Sequence, residues 1–96
     1  MEKIIKKMEL CKGRHEIPAA SDGAIFETTL DPLAIDYMES VARQKVKGLD
    51  ELVLYVTGLS VALVSVINAC KLEDVKLTLQ HYDRDSGLYY SQEVKL

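Results

Sequence analysis

A single strand–turn–helix stretch, residues 51–70 (ELVLYVTGLSVALVSVINAC), constrains the fold more than any other part of the chain. Residues 51–57 are nearly continuous in apolar side chains, which is typical of a central strand buried on both sides. Gly58 allows a tight turn, and Ser60 is placed to cap the helix that follows. We therefore predict an α/β sheet whose ligand-binding edge includes this turn, because ligands commonly bind outside the carboxyl ends of such strands.

Residues 61–70 predict a helix that is apolar on nearly every side, interrupted only by Ser65 and Asn68. A helix of this kind has to be covered on more than one side. A chain of 96 residues has little material of its own to do this. We therefore expect self-association, as a homodimer or a higher oligomer.

A second helix is predicted ahead of this stretch. Asp31 is expected to be its N-cap and Pro32 its first helical residue, and Gly48 ends it. An apolar stripe at helical spacing predicts one buried face. The stripe consists of Leu33, Ala34, Tyr37, Met38, Val41, Ala42 and Val46.

Strands are predicted on both sides of these helices. Residues 8–11 and 24–27 are short strand candidates, and they are separated by a segment without helical periodicity. Residues 75–82 alternate apolar and polar side chains, and residues 88–96 return after a turn at 83–87 as a hairpin strand. This order predicts one compact Rossmann-like α/β domain over residues 1–96, mostly parallel, with an antiparallel C-terminal edge hairpin.

Composition excludes several classes of protein. The net charge of −3 argues against a binder of duplex nucleic acid, although residues 1–15 are locally basic. No apolar run reaches the roughly 18 residues of a membrane span, and the first residues lack the pattern of a signal peptide. We expect a cytoplasmic protein without membrane contact, in which Cys11 and Cys70 are reduced.

Thr57, Gly58, Leu59 and Ser60 are the first candidates for ligand binding. Their hydroxyl and amide groups at a helix start suit a phosphate or a ribose. The turn matches neither a Walker loop nor the dinucleotide-binding glycine pattern. A purely structural turn with a capping serine remains the alternative.

Polar residues after two other strand candidates are expected on the same rim. Arg14 and His15 offer a phosphate-binding guanidinium and a proton donor or acceptor. His81, Tyr82 and Arg84 lie at the end of the predicted strand 75–82. Tyr82, Tyr89 and Tyr90 could stack on a base, although cross-strand packing is the commoner use of such tyrosines. Alternation along a strand sends His81 and Tyr82 to opposite faces, so they should not share one role.

No catalytic or metal-binding motif is present. The two cysteines and two histidines lack the paired spacing of a zinc site, and residues 83–94 fail the calcium-loop register. No nucleophile elbow surrounds Ser60. We expect no metal and no cofactor, and we assign no catalytic residue.

Three blocks of sequence carry a resemblance: CKGRHEIPAASDGAIF, LYVTGLSVALVSVINAC and LTLQHYDRDSGLYYSQEV. They resemble a family of small phage and prophage proteins of Gram-positive bacteria, which implies the cytoplasm of a bacterial host. The strand–Thr-Gly–helix layout is also similar to the CRISPR-associated Rossmann-fold (CARF) sensors and ring nucleases. Those proteins bind cyclic oligonucleotides as dimers over the strand ends. This similarity implies only a ligand location at residues 57–60.

Three functions are compatible with these residues. The leading hypothesis is an oligomeric binder of a nucleotide-derived ligand, of cyclic-oligonucleotide or ADP-ribose type, that sequesters a host defence signal. The second is a ring-nuclease-like phosphodiesterase, in which His15 or His81 acts as acid or base while Arg14 holds phosphate. The third is an inhibitor module that docks a host protein through its edge hairpin.

Overall fold

The computed structural model describes residues 2–13, 17–27 and 31–96 of the chain. These residues form one sheet and two helices. In chain order the elements are β1 (Ile5–Cys11), β2 (Ala24–Phe26), α1 (Ile35–Val46), β3 (Glu51–Tyr55), α2 (Ser60–Leu72), β4 (Lys76–Asp83) and β5 (Leu88–Val94).

The strand order in the sheet is β2-β1-β3-β4-β5. β1 is parallel to both β2 and β3, and β3 is parallel to β4. β5 runs antiparallel to β4 and closes the hairpin. This topology confirms the predicted α/β class, a mostly parallel Rossmann-like sheet with an antiparallel edge pair.

The core lies between the sheet and the two helices, which pack against each other. Alternate residues of the three central strands point into it and are almost fully buried. They are Met8, Leu10, Leu52, Leu54, Leu77 and Leu79. α1 contributes Met38, Ala42 and Val46, and α2 contributes Ala62, Val66, Ala69 and Cys70. We call this surface of the sheet the helix side.

The opposite surface, which we call the open side, carries no helix among the described residues. It presents Lys7, Val53, Thr78 and Gln80, which are exposed or half-buried. Tyr55 is buried on this side, with 9% exposure, and so are Ala24 and Phe26 of β2, which the register places beside Glu9 and Cys11. β3 is therefore fully buried on the helix side only, whereas its apolar sequence predicted burial on both sides.

The start of α1 differs from the prediction. The Asp31 carboxylate accepts a hydrogen bond from the Leu33 N–H at 2.9 Å, and its carbonyl accepts one from the Ala34 N–H at 3.0 Å. These bonds form a local turn ahead of the helix, so Asp31 is not the N-cap. The N-cap is Ala34, which has no side chain able to cap. Gly48 has φ of 84° and follows the C-cap Lys47, as predicted.

The apolar surface of α2 is covered mainly by the chain itself. Ala62, Val66, Ala69 and Cys70 are buried against α1 and the sheet. Only Val64 and Leu72 are more than half exposed among its apolar residues, at 54% and 63%. Burial of α2 therefore does not require a second copy of the chain. No helix among the described residues is both long and apolar enough to cross a bilayer.

Candidate ligand-binding site

The predicted site begins at Thr57, directly after β3. Its hydroxyl donates a hydrogen bond to the Cys11 carbonyl at 2.9 Å and accepts one from the Cys11 N–H at 3.1 Å. Thr57 therefore ties the carboxyl end of β1 to the carboxyl end of β3. Because its hydroxyl proton is used in this way, Thr57 positions the turn rather than offering a free donor to a ligand.

The turn continues through Gly58, whose φ of 67° lies in the left-handed region that favours glycine. Leu59 is extended, with φ of −73° and ψ of 119°, and is the N-cap of α2. Ser60 is the exposed first residue of the helix, so the prediction that Ser60 is the cap is wrong. The N-terminus of α2 has no side-chain cap and no acidic residue in its first turn.

Cys11 borders the same turn. The Leu59 N–H hydrogen-bonds to its thiol. Partial burial raises the pKa of Cys11 above its usual value, the Leu59 hydrogen bond lowers it, and the charge of Glu9 raises it further. The net effect is an increase, so Cys11 is a protonated thiol at neutral pH and a poor nucleophile.

One described basic residue, Lys12, lies at this edge after β1. The Lys12 side chain is exposed immediately after β1, and the backbone N–H of Lys12 donates a hydrogen bond to the Phe26 carbonyl at 2.9 Å. Arg14 and His15, which the sequence placed on the same rim, lie outside the described residues.

His81 and Tyr82 point to opposite sides of the sheet, as alternation predicted. His81 lies on the helix side, where its Nε2 is 2.8 Å from Gln92 Oε1 and its ring is 5.2 Å from that of Tyr90. Tyr82 lies on the open side, and Arg84 is exposed in the hairpin turn. Tyr82 therefore does not share a site with His81. Of these two residues, His81 is the one that faces the helix side, where α2 lies.

A tyrosine cluster lies on the open side. Cross-strand packing of Tyr82 with Tyr89 was the expected alternative to base stacking, and the structure adds Tyr55, which was not predicted. The Tyr55 and Tyr89 rings meet edge to face at 5.0 Å, and Tyr82 and Tyr89 meet at 5.4 Å. Glu9 is next to Tyr55 in the sheet register, and its buried Oε2 has no hydrogen-bond partner among the described residues. Desolvation and the charges of Tyr82, Tyr55 and Glu9 raise the pKa of Tyr89. Tyr82 and Tyr89 face each other in the predicted hairpin, whereas Tyr55 and Glu9 reach them only through the order of the strands.

Two surface grooves lie away from the predicted site. One, of about 410 Å³, runs between α1 and the end of α2, where Arg43 and Glu73 form an ion pair at 2.9 Å. The other, of about 390 Å³, lies at the opposite edge of the sheet, near Asp50 and Lys76. Within the described ranges, no group of three His, Cys, Asp or Glu side chains could hold a metal ion.

Comparison of the chain with protein-family models, with curated proteins and with solved structures gave no match. The fold therefore defines the class, a small Rossmann-like α/β domain. A fold of this class hosts many functions, so the function has to be argued from the site itself.

Proposed function

We propose that the chain binds a nucleotide-derived anion at the carboxyl edge of its sheet, without turning it over. The observation that carries this proposal is the N-terminus of α2, which lies at that edge with neither a side-chain cap nor an acidic residue in its first turn. The first amides of a helix lack partners within the helix and carry partial positive charge. A phosphate group would satisfy both properties.

The surroundings of this N-terminus support the proposal. Thr57 and Gly58 fix the turn through the Cys11 hydrogen bonds and the left-handed backbone. Lys12 adds positive charge after the neighbouring strand. The ligand class that fits the proposal is a cyclic oligonucleotide or an ADP-ribose derivative, held in the cytoplasm of a bacterial host by a phage-type protein that sequesters it as a defence signal.

Titration calorimetry with cyclic oligonucleotides and ADP-ribose derivatives tests the proposal, with Ser60→Asp as the decisive variant. Aspartate at this position stabilises the helix by about 0.3–1 kcal/mol, so the variant remains folded. It also places a negative charge beside the proposed phosphate, and we expect affinity to fall by at least about tenfold. The matched control Ser60→Asn has nearly the same shape without the charge, and it should bind like the wild type.

Two results would contradict binding at this position. One is equal affinity of Ser60→Asp and Ser60→Asn for a ligand that binds the wild type. The other is an absence of heat with every nucleotide tested. Enzymatic turnover is separated from sequestration by recovering the ligand after denaturation, because intact ligand means binding only.

Self-association is a second part of the proposal. α2 does not require self-association, since Ala62, Val66, Ala69 and Cys70 are buried within the chain and only Val64 and Leu72 of its apolar residues are more than half exposed. The observation that supports self-association is the edge strand β5, which pairs on one side only among the described residues. Its Leu88 and Tyr90 are 67% and 57% exposed. Sedimentation of the wild-type protein over a range of concentrations tests it, and a monomer throughout would contradict it.

A further inference from the structure

β5 is an edge strand with one unpaired side. Among the described residues it pairs with β4 alone. Six of its seven residues are exposed, and Val94 is half-buried. Edge strands are usually protected from pairing by lysine, proline, a bulge or short length. β5 (LYYSQEV) has no lysine or proline, pairs without a bulge over its full length, and carries one charge, at Glu93.

The backbone groups on the free side of β5 can be assigned from the sheet hydrogen bonds. The Gln80 carbonyl accepts a bond from the Val56 N–H at 3.0 Å, so the backbone of Gln80 points toward β3. Successive residues of a strand point their backbone groups to opposite sides, so Leu79 and His81 bond to β5. Their partners are Gln92 and Tyr90.

It follows that Tyr89, Ser91 and Glu93 direct their N–H and C=O groups away from the sheet. These three residues are centred on Ser91. In an antiparallel pair of identical strands with its two-fold axis at Ser91, Tyr89 of each copy lies opposite Glu93 of the other, and the two Ser91 residues lie opposite each other. Each of these pairs can exchange both backbone hydrogen bonds.

The side chains are also compatible with this register. On the helix side Leu88 meets Val94, which covers the most exposed apolar residue of β5, and Tyr90 meets Gln92. On the open side Tyr89 meets Glu93, so no two like charges lie directly opposite. Beyond the strand, Lys95 of each copy lies opposite Gly87 of the other, in a turn that carries both Arg84 and Asp85, so this end of the register is neither favoured nor opposed by charge.

We propose that two copies of the chain join through β5 in this antiparallel register, forming one continuous sheet with a two-fold axis at Ser91. The residues favour a second copy of the chain as the partner of this edge. The outward backbone groups of β5 are arranged symmetrically about Ser91, and the side chains that would face each other across the axis are compatible, as a two-fold interface requires. The inference rests on the self-association proposed above and names its surface. It does not depend on a bound ligand.

Site-specific cross-linking tests the register. In Ser91→Cys the two introduced thiols would face each other across the axis, with Cα atoms about 5.5 Å apart. The Cβ atoms of a hydrogen-bonded pair are wider apart than a direct disulfide prefers, so the probe is dibromobimane, a short reagent that bridges two nearby thiols. In Gln92→Cys, the control, each thiol lies opposite Tyr90 and points to the other side of the sheet. We expect dibromobimane to give a covalent dimer with Ser91→Cys, and to give much less with Gln92→Cys or with the wild type, which retains Cys11 and Cys70.

Stronger cross-linking of Gln92→Cys than of Ser91→Cys would overturn the register. A wild-type dimer in sedimentation that Ser91→Cys fails to trap would overturn the β5 interface but leave self-association intact. A monomeric wild type without cross-linking would overturn both. None of these results bears on ligand binding, which the Ser60 variants test separately.

A charge placed on the axis provides an independent measurement. Ser91→Lys sets two ammonium groups opposite each other, and edge lysines oppose pairing of this kind. We expect Ser91→Lys to sediment as a monomer, with at least about a tenfold weaker dimer. The matched Ser91→Thr retains the hydroxyl that accepts from Gln80 at 2.7 Å and should dimerise like the wild type. Equal dimerisation of the two variants would contradict the interface.

Discussion

At the residue scale, Thr57 has a structural role that the residues beside it in the sequence do not indicate. Its hydroxyl bonds to both backbone groups of Cys11, a residue 46 positions earlier. The sequence shows a Thr-Gly turn after a strand, but it does not show which strand end the hydroxyl reaches. That partner is set by the register between β1 and β3.

Replacing Thr57 with valine removes these bonds while keeping the shape of the side chain. The Cys11 N–H and C=O would then lose their partners in a partly buried position, so we expect a loss of about 1–3 kcal/mol in the free energy of unfolding. Chemical denaturation measures this loss. The control Thr57→Ser keeps the hydroxyl and should retain most of the stability. Equal stability of the two variants would show that the hydrogen bonds to Cys11 do not stabilise the fold.

Cys70 predicts how stability depends on alkaline pH. Its side chain is fully buried, and burial raises its pKa from 9.0 to about 12. The unfolded chain therefore loses this proton first, and the free energy of unfolding falls as the pH rises from 9 toward 12. Other groups titrate in this range, so the measured quantity is the stability difference between the wild type and Cys70→Ala. That difference should shrink as the pH rises, and a constant difference would contradict the prediction.

At the scale of elements, α2 combines an apolar sequence with one buried hydroxyl. Ser65 is 1% exposed, and its Oγ donates to the Val61 carbonyl at 3.0 Å, one turn earlier in the same helix. The hydroxyl is thus satisfied locally and forms no bond to another described element. Such a bond contributes little to a helix and competes with its backbone pairing.

We therefore expect Ser65→Ala to leave the free energy of unfolding unchanged or to raise it by up to about 0.5 kcal/mol, because alanine is the better helix former. Ser65→Val, by contrast, adds volume against the buried neighbours and should cost about 1–3 kcal/mol. Thermal or chemical unfolding distinguishes the two. A clear loss of stability in Ser65→Ala would show that the hydroxyl has a further partner.

The elements themselves were largely predictable from local patterns. Alternation along residues 75–82 identified β4, and the turn residues identified the hairpin with β5. The start of α1 was not predictable in the same way, because Asp31 can either cap a helix or close a turn ahead of one. Its hydrogen bonds to Leu33 and Ala34 select the turn.

At the scale of the whole molecule, the sequence predicted the α/β class and the edge hairpin but not the open side. Burial of β3 on both sides was inferred from its apolar residues, yet Val53 is only half-buried. Tyr55 joins the hairpin pair Tyr82 and Tyr89 only through the strand order, which local patterns do not supply. Arg14 and His15 lie outside the described residues, so their place on the rim stays a prediction.

The central position of β1 has a consequence for biosynthesis. β1 pairs with β2 on one side and with β3 on the other. β1 leaves the ribosome before the other described strands, and it waits for residues 51–55 before its pairing is complete, so Met8 and Leu10 stay uncovered while the chain lengthens. Contacts this distant in sequence close late and slowly. During synthesis, β1 therefore stays without its second partner for longer than any other described strand of the sheet.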